Sequence, residues 1–146
     1  MADHNAKLVW RSGMTFDVVS DGKQDLPLVL SSSQLSQEEG DNGLSPMGLI
    51  LAGLAGCTAM DVMSILQKKR QNVRSLAIEV EGDQGDEHPK LYRHVTIVYR
   101  VSGDVSETAL ERAIELSIDK YCPVNGMLKA FAEIKTRYEI VPSDSR

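Results

Sequence analysis

The sequence predicts an α+β domain spanning residues 1–146, with antiparallel sheets built around one long buried helix. Three observations lead there. The stretch Ser45–Arg70, SPMGLILAGLAGCTAMDVMSILQKKR, is apolar or small on every face for about four turns. The segments Val73–Glu81 and Leu91–Val101 alternate apolar and polar residues on either side of a polar turn, as the two arms of a hairpin do. A second helical pattern from Ser106 to about Lys120 places Ala109, Leu110, Ala113, Ile114 and Ile118 on one face, so it should lie against a sheet.

At the N-terminus, Ala6–Arg11 and Met14–Ser20 are short runs of β-formers separated by Ser12-Gly13. Asp21-Gly22 then signals a two-residue hairpin into Leu26–Ser31, which makes a small antiparallel meander. Ser32–Leu44 is polar, acidic and without periodicity, and reads as a mobile loop. The long helix starts cleanly, because Ser45 can accept from an orphan amide and Pro46 lacks a donor that the first helical position does not use. It ends in Gln67, Lys68, Lys69 and Arg70, cations suited to the negative end of the helix dipole. After the hairpin, Ser102-Gly103-Asp104 breaks the strand and Ser106 caps the amphipathic helix. Tyr121-Cys122-Pro123 interrupts that helix, and a short one running through Phe131 follows with Cys122 as its cap. Ile134–Val141 closes the order as one more alternating strand before a polar tail.

Composition narrows the function classes. With 42% hydrophobic and only 5% aromatic residues, the core is built from aliphatic side chains and methionine. A net charge of −5 offers no electrostatic footprint for nucleic acid. The apolar helix has the length of a membrane span, but Asp61 lies within it and no second span accompanies it, so no membrane partner is expected. The opening MADHNAKLVW has neither the cationic start nor the apolar centre of a secretion signal, which points to the cytoplasm, where thiols stay reduced. The two cysteines are then packing or chemistry.

Cys122, at a helix start, faces free amides and the positive dipole end, a setting that lowers a thiol's pKa. Cys57 lies mid-helix, and by spacing alone it reads as packing. Asp61, one turn on, opposes a charge at Cys57 if it shares that face, and as a carboxylate in an apolar helix it needs a hydrogen-bond partner. His4, His88 and His94 stand in three dissimilar settings and propose no metal site, and no phosphate loop or CxxC pair implies a cofactor. Met47, Met60, Met63 and Met127 are core filling or the lining of an apolar pocket.

The stretch containing GCTAMDV, followed some sixty residues later by KYCPVNGML, resembles the OsmC/Ohr family of osmotically inducible and organic hydroperoxide resistance proteins, and its OsmC-like branch most closely. The resemblance covers nearly the whole chain. It implies an OsmC-like fold in an intertwined homodimer, with active sites at the subunit interface. It also implies thiol peroxidase chemistry: Cys57 attacks an organic hydroperoxide, Cys122 resolves the sulfenic acid into a disulfide, and a dithiol such as a lipoyl group reduces that bond. A low pKa at Cys122 would make it a good leaving group in that last step. Where the family's peroxidases carry a glutamate ten residues before the first cysteine, this chain has Met47 followed by Gly48. The segment from Gly13 to Leu44 holds no arginine, which leaves Arg11 and Asp61 as the supporting candidates. The alternative on the same scaffold is a non-catalytic protein binding a small apolar or thiol-bearing ligand at the dimer interface.

Overall fold

The computed structural model describes residues 2–26, 28–32 and 43–141. The loop expected over Ser32–Leu44 falls mostly on residues 33–42, and the polar tail on residues 142–146, which lie outside the described residues. The chain divides into two compact units, Met1–Ile50 and Leu51–Arg146.

The first unit holds the expected meander: β1 (Ala6–Ser12), β2 (Thr15–Ser20) and β3 (Leu28–Ser31) pair antiparallel in that order. The turns differ from expectation. The tight two-residue loop is Gly13-Met14, with Ser12 opposite Thr15 and Gly13 at φ 50°, a left-handed backbone that glycine adopts without a Cβ penalty. Asp21 and Gly22 do turn, at φ 54° and 71°, but further turn bonds such as Leu26 N–H to Lys23 carbonyl at 3.1 Å delay β3 to Leu28. Strand β1 is exposed along its length, including Leu8, Val9 and Trp10.

Helix α1 (Pro46–Lys68) begins in the first unit and runs on into the second. Ser45 caps it as the sequence indicates, its Oγ accepting from the Gly48 amide at 3.0 Å. At the far end Arg70 takes φ 58°. The Gln71 amide donates to the Leu66 carbonyl and the Arg70 amide to that of Gln67, the crossed pair that closes a helix around a left-handed residue. The expectation of burial on every face needs correction for the single chain. Only Leu54, Thr58, Val62 and Leu66 are buried, one stripe at a spacing of four, while Met60 is 76% exposed. One chain supplies cover for a single face of a helix that is apolar on all of them.

The second unit is a three-stranded sheet in the order β4 (Asn72–Gln84), β5 (Tyr92–Asp104), β6 (Glu133–Val141). The first pairing is the expected antiparallel hairpin; the second is parallel, with Val95 opposite Ile134, so this sheet is mixed. The reason lies between the strands. Helix α2 (Glu107–Leu116), a π-helical turn (Ser117–Tyr121) and helix α3 (Pro123–Leu128) carry the chain back to the end where β5 began, and a crossover of that length delivers a parallel neighbour.

The core of this unit follows the alternation of β5. Val95, Ile97, Tyr99 and Val101 are all at most 1% exposed, and Leu110 and Ala113 of α2 are fully covered. Burying a side chain such as Leu110 contributes roughly 1.5–3 kcal/mol. The Tyr138 hydroxyl of β6 sits 2.5 Å from both Glu107 and Glu111 of α2, which places that helix on the sheet.

Where β4 and β5 meet at Gly103, the register shifts between Val73 and Ser75. Gly103 has φ 122°, and a Cβ there would stand 2.2 Å from the Asn72 carbonyl oxygen. Gly103→Ala should therefore cost about 2–4 kcal/mol through backbone strain and overpacking together. Denaturant unfolding of the two proteins checks this, and a cost below about 0.5 kcal/mol would show that the bulge relaxes freely.

Candidate functional site

Residues far apart in the chain meet beside the buried stripe of α1. The Cys57 and Cys122 sulfurs and a carboxylate oxygen of Asp61 all lie within 4.8 Å of one another. Cys57 and Asp61, four apart on α1, share a face, as the sequence spacing allowed. Cys122 comes from the break between the π turn and α3. It is the expected cap: its sulfur accepts from the Asn125 amide at 3.4 Å, and Pro123 follows at the first helical position. Both cysteines are free thiols, Cys57 half-buried and Cys122 buried.

Asp61 has the hydroxyl partner that its apolar setting requires. Ser117 Oγ donates to Asp61 Oδ2 at 2.9 Å. With that proton committed, Ser117 must accept from Thr58, whose Oγ1 lies at 2.8 Å, and Thr58 must in turn accept from the Tyr99 hydroxyl, also at 2.8 Å. A directed relay of hydroxyls thus runs from Tyr99 on β5 through Thr58 on α1 and Ser117 on the π turn to Asp61. Tyr99, Thr58 and Ser117 are fully buried. Burial pushes the Tyr99 phenol up to about 12, which keeps it the donor at the head of the relay.

The π turn makes this geometry. The Cys122 amide reaches back five residues to the Ser117 carbonyl at 2.8 Å, widening the helix by one residue just where Pro123 stops it. Ser117 is thereby brought to Asp61, and Cys122 to Cys57. Asn125 braces the turn by donating from Nδ2 to the Ile118 carbonyl at 2.8 Å, while its buried Oδ1 has no partner among the described residues.

One electrostatic expectation is overturned. The Cys122 thiol is raised from 9.0 to about 11, not lowered. Burial is the largest cause and the hydrogen bond with Cys57 the next; the Asn125 and Val124 amides pull the other way and lose. A good leaving group at Cys122 is therefore not to be expected.

The other residues singled out lie elsewhere. Arg11, on β1, binds Asp17 of β2 through both Nη2 and Nε in the first unit. His4 pairs with Asp21 and His94 with Glu133, in two different units. Met60 and Met63, with Ala59 and Leu76, line an open cleft of about 540 Å³ between α1 and β4, which Met127 does not join. Thr58, Ser117 and Tyr99 were missed by sequence reasoning. A signal was present, since Thr58 is the one polar residue in the stripe Leu54, Thr58, Val62, Leu66, and Ser117 continues the apolar face of α2 one turn beyond Ala113 and Ile114.

The fold has counterparts among known proteins. The family model described as OsmC-like protein matches residues 38–137. The chain belongs to the OsmC-like family. Protein YhfA of Escherichia coli K12 is 36% identical over 138 residues, covering 93% of this chain and 97% of its own. A hypothetical protein from Aquifex aeolicus VF5 superposes with a TM-score of 0.84 at 32% identity, covering 97% of this chain and 98% of the other. At the level of fold alone, the organic hydroperoxide resistance protein OhrB of Bacillus subtilis superposes with a TM-score of 0.67 at 18% identity, over 92% and 98% of the two chains. In this OsmC-like chain the two free thiols, Cys57 and Cys122, stand side by side.

A raised folded pKa has a definite stability signature. The fold holds Cys122 as the neutral thiol, so its contribution is complete below the unfolded value of 9.0 and is lost as pH climbs towards about 11. The unfolding free energy of the reduced protein should decline over that window, and less steeply in Cys122→Ser. Parallel declines in the two proteins, measured by denaturant unfolding at successive pH values, would show that Cys122 is not the group responsible.

Proposed function

We propose that this chain is a cytosolic, thiol-dependent reductase of organic hydroperoxides that acts as a single OsmC-like domain over residues 1–146 and needs no cofactor. The observation that carries the reading is the approach of the Cys57 and Cys122 sulfurs to within 4.8 Å. To reach the ~2.05 Å of a disulfide bond the sulfurs need to close by about 2.8 Å at most.

In the first step the Cys57 sulfur attacks the terminal oxygen of the hydroperoxide. The O–O bond breaks, the alcohol leaves with a proton, and Cys57 becomes a sulfenic acid. Cys122 then attacks that sulfur, water departs, and a disulfide forms. A dithiol of the lipoyl type restores both thiols by exchange through a mixed disulfide and leaves as its own cyclic disulfide. The direction of attack follows from the environment. Cys122 is the more buried sulfur and is held as a thiol by burial and by its bond to Cys57, so the half-buried Cys57 is the sulfur that meets an incoming peroxide.

The same proposal includes a homodimer. Along α1 an apolar window with mean hydropathy 1.9 is only 22% buried within one chain, although it meets the length and composition of a membrane span. The family fold favours its role as a core helix of a soluble protein, and a second copy supplies the missing cover. Sedimentation at micromolar concentration should give twice the mass of the chain, and a monomer would refute this part.

Stopped-flow mixing of the reduced protein with cumene hydroperoxide should consume two thiols per chain. Cys57→Ser should reduce turnover to background, whereas Cys122→Ser should allow one oxidation and leave a sulfenic acid that dimedone traps. Survival of both thiols in excess peroxide would exclude the reading, and equal mild effects of the two substitutions would exclude the roles assigned here.

A further inference from the structure

The redox cycle uses two of the three groups in the cluster. Asp61 is left over, although its carboxylate oxygen lies within 4.8 Å of both sulfurs. The protein nevertheless holds that carboxylate in place through the relay from Tyr99 to Ser117. Among the described residues no ion pair involves Asp61, and no cation figures among the groups acting on Cys122. Two sulfurs and a carboxylate oxygen, all possible metal ligands, therefore face one another with no cation paired to the carboxylate among the described residues. What satisfies such a cluster is a cation, and one that prefers sulfur.

We infer that the reduced Cys57–Asp61–Cys122 cluster binds a thiophilic divalent ion of the zinc type, with two sulfurs and one carboxylate oxygen as ligands. The geometry is close to what is required. Tetrahedral coordination with bonds of ~2.3 Å to sulfur and ~2.0 Å to oxygen sets ligand atoms about 3.5–3.8 Å apart, so the three donors need to close by an ångström or so at most. Thiolates select zinc and its neighbours over magnesium or calcium, and three protein ligands leave the fourth position open to water. Ser117 acts as the positioning residue, since its hydroxyl orients the carboxylate in the way that outer groups orient ligands at such centres. As the ion enters, two metal–sulfur bonds form, two thiol protons are released to solvent, and the carboxylate supplies the third bond. This inference uses the geometry of the cluster and not its redox chemistry, so it stands or falls separately.

The experiment is titration of the reduced full-length protein with Co²⁺ alone in the absence of oxygen, followed by displacement with Zn²⁺. One ion per chain should produce thiolate-to-cobalt charge-transfer absorption and the intense visible bands of tetrahedral cobalt, and Zn²⁺ should abolish both. Asp61→Asn, which can still accept from Ser117, should weaken binding by ~10-fold or more, as should Ser117→Ala. The double variant Cys57→Ser, Cys122→Ser should show neither absorption, with circular dichroism confirming that it folds. Octahedral cobalt bands alone, or charge-transfer absorption unchanged in the double variant, would overturn the inference. An Asp61→Asn protein that binds as tightly as the parent would remove the carboxylate from the site and overturn it equally.

Discussion

A carboxylate placed inside an apolar helix must be answered by hydrogen bonds, and the way Asp61 is answered fixes much of the second unit. Its partner, Ser117, belongs to the π turn; the partner of Ser117 is Thr58 on α1; and the partner of Thr58 is Tyr99 in the middle of β5. Three elements are thus locked in register by one directed chain of protons. Each buried hydroxyl left without its partner would cost about 1–3 kcal/mol, a large share of what separates a small domain from unfolding. Leu54, Val62 and Leu66 would pack almost as well with α1 slid along the sheet, because apolar contact is not directional. Thr58, in the same stripe, permits one position, and with it the placing of Cys57 one residue before and Asp61 three residues after.

The contest over the Cys122 proton shows how local and tertiary electrostatics are weighed. Amides at a helix start and its dipole are worth about 0.3–1 kcal/mol at ordinary sites, which is less than one pH unit. Helix α3 has only six residues, so its dipole is short, and the cap bond from Asn125 is a long one at 3.4 Å. Withdrawal from water and the neighbouring Cys57 sulfur both act against ionisation and together outweigh the amides. The helix start remains a correct reading of Cys122; it is the smaller of the opposed effects.

What the residues alone conveyed divides along the same line. Patterns that close within a few residues were readable: the Ser45 cap, the Ser106 cap whose Oγ accepts from Ala109, Cys122 before Pro123, and the β4–β5 hairpin in which Leu76, Ile78 and Val80 face inwards. Features set by contacts across the sequence were not. No spacing rule announces that residues 57 and 122 meet, and only likeness to a family brought them together beforehand. The parallel direction of β6 depends on where α2 and α3 return the chain, and the exposed faces of α1 depend on what one chain can cover. The π turn was hidden for a related reason, since a helix widened by one residue keeps nearly the same apolar periodicity until Pro123 ends it.

The cluster also places a constraint on any chemistry assigned to it. A sulfur engaged in a disulfide has no lone charge to offer a metal, and a sulfur bound to a metal is shielded from peroxide, so the two uses of Cys57 and Cys122 exclude each other on one chain at one moment. Asp61 bears on that balance through its position, because a carboxylate oxygen within 4.8 Å of both sulfurs is a third ligand for a bound cation and has no part in a disulfide. An oxidised site that keeps the Ser117 to Asp61 bond retains the carboxylate beside the disulfide, with nothing in that state for it to neutralise. In the proposed cycle, reduction would return two sulfur donors to a position where the bond from Ser117 already holds the carboxylate, so the relay that satisfies a buried acid would also orient the third ligand.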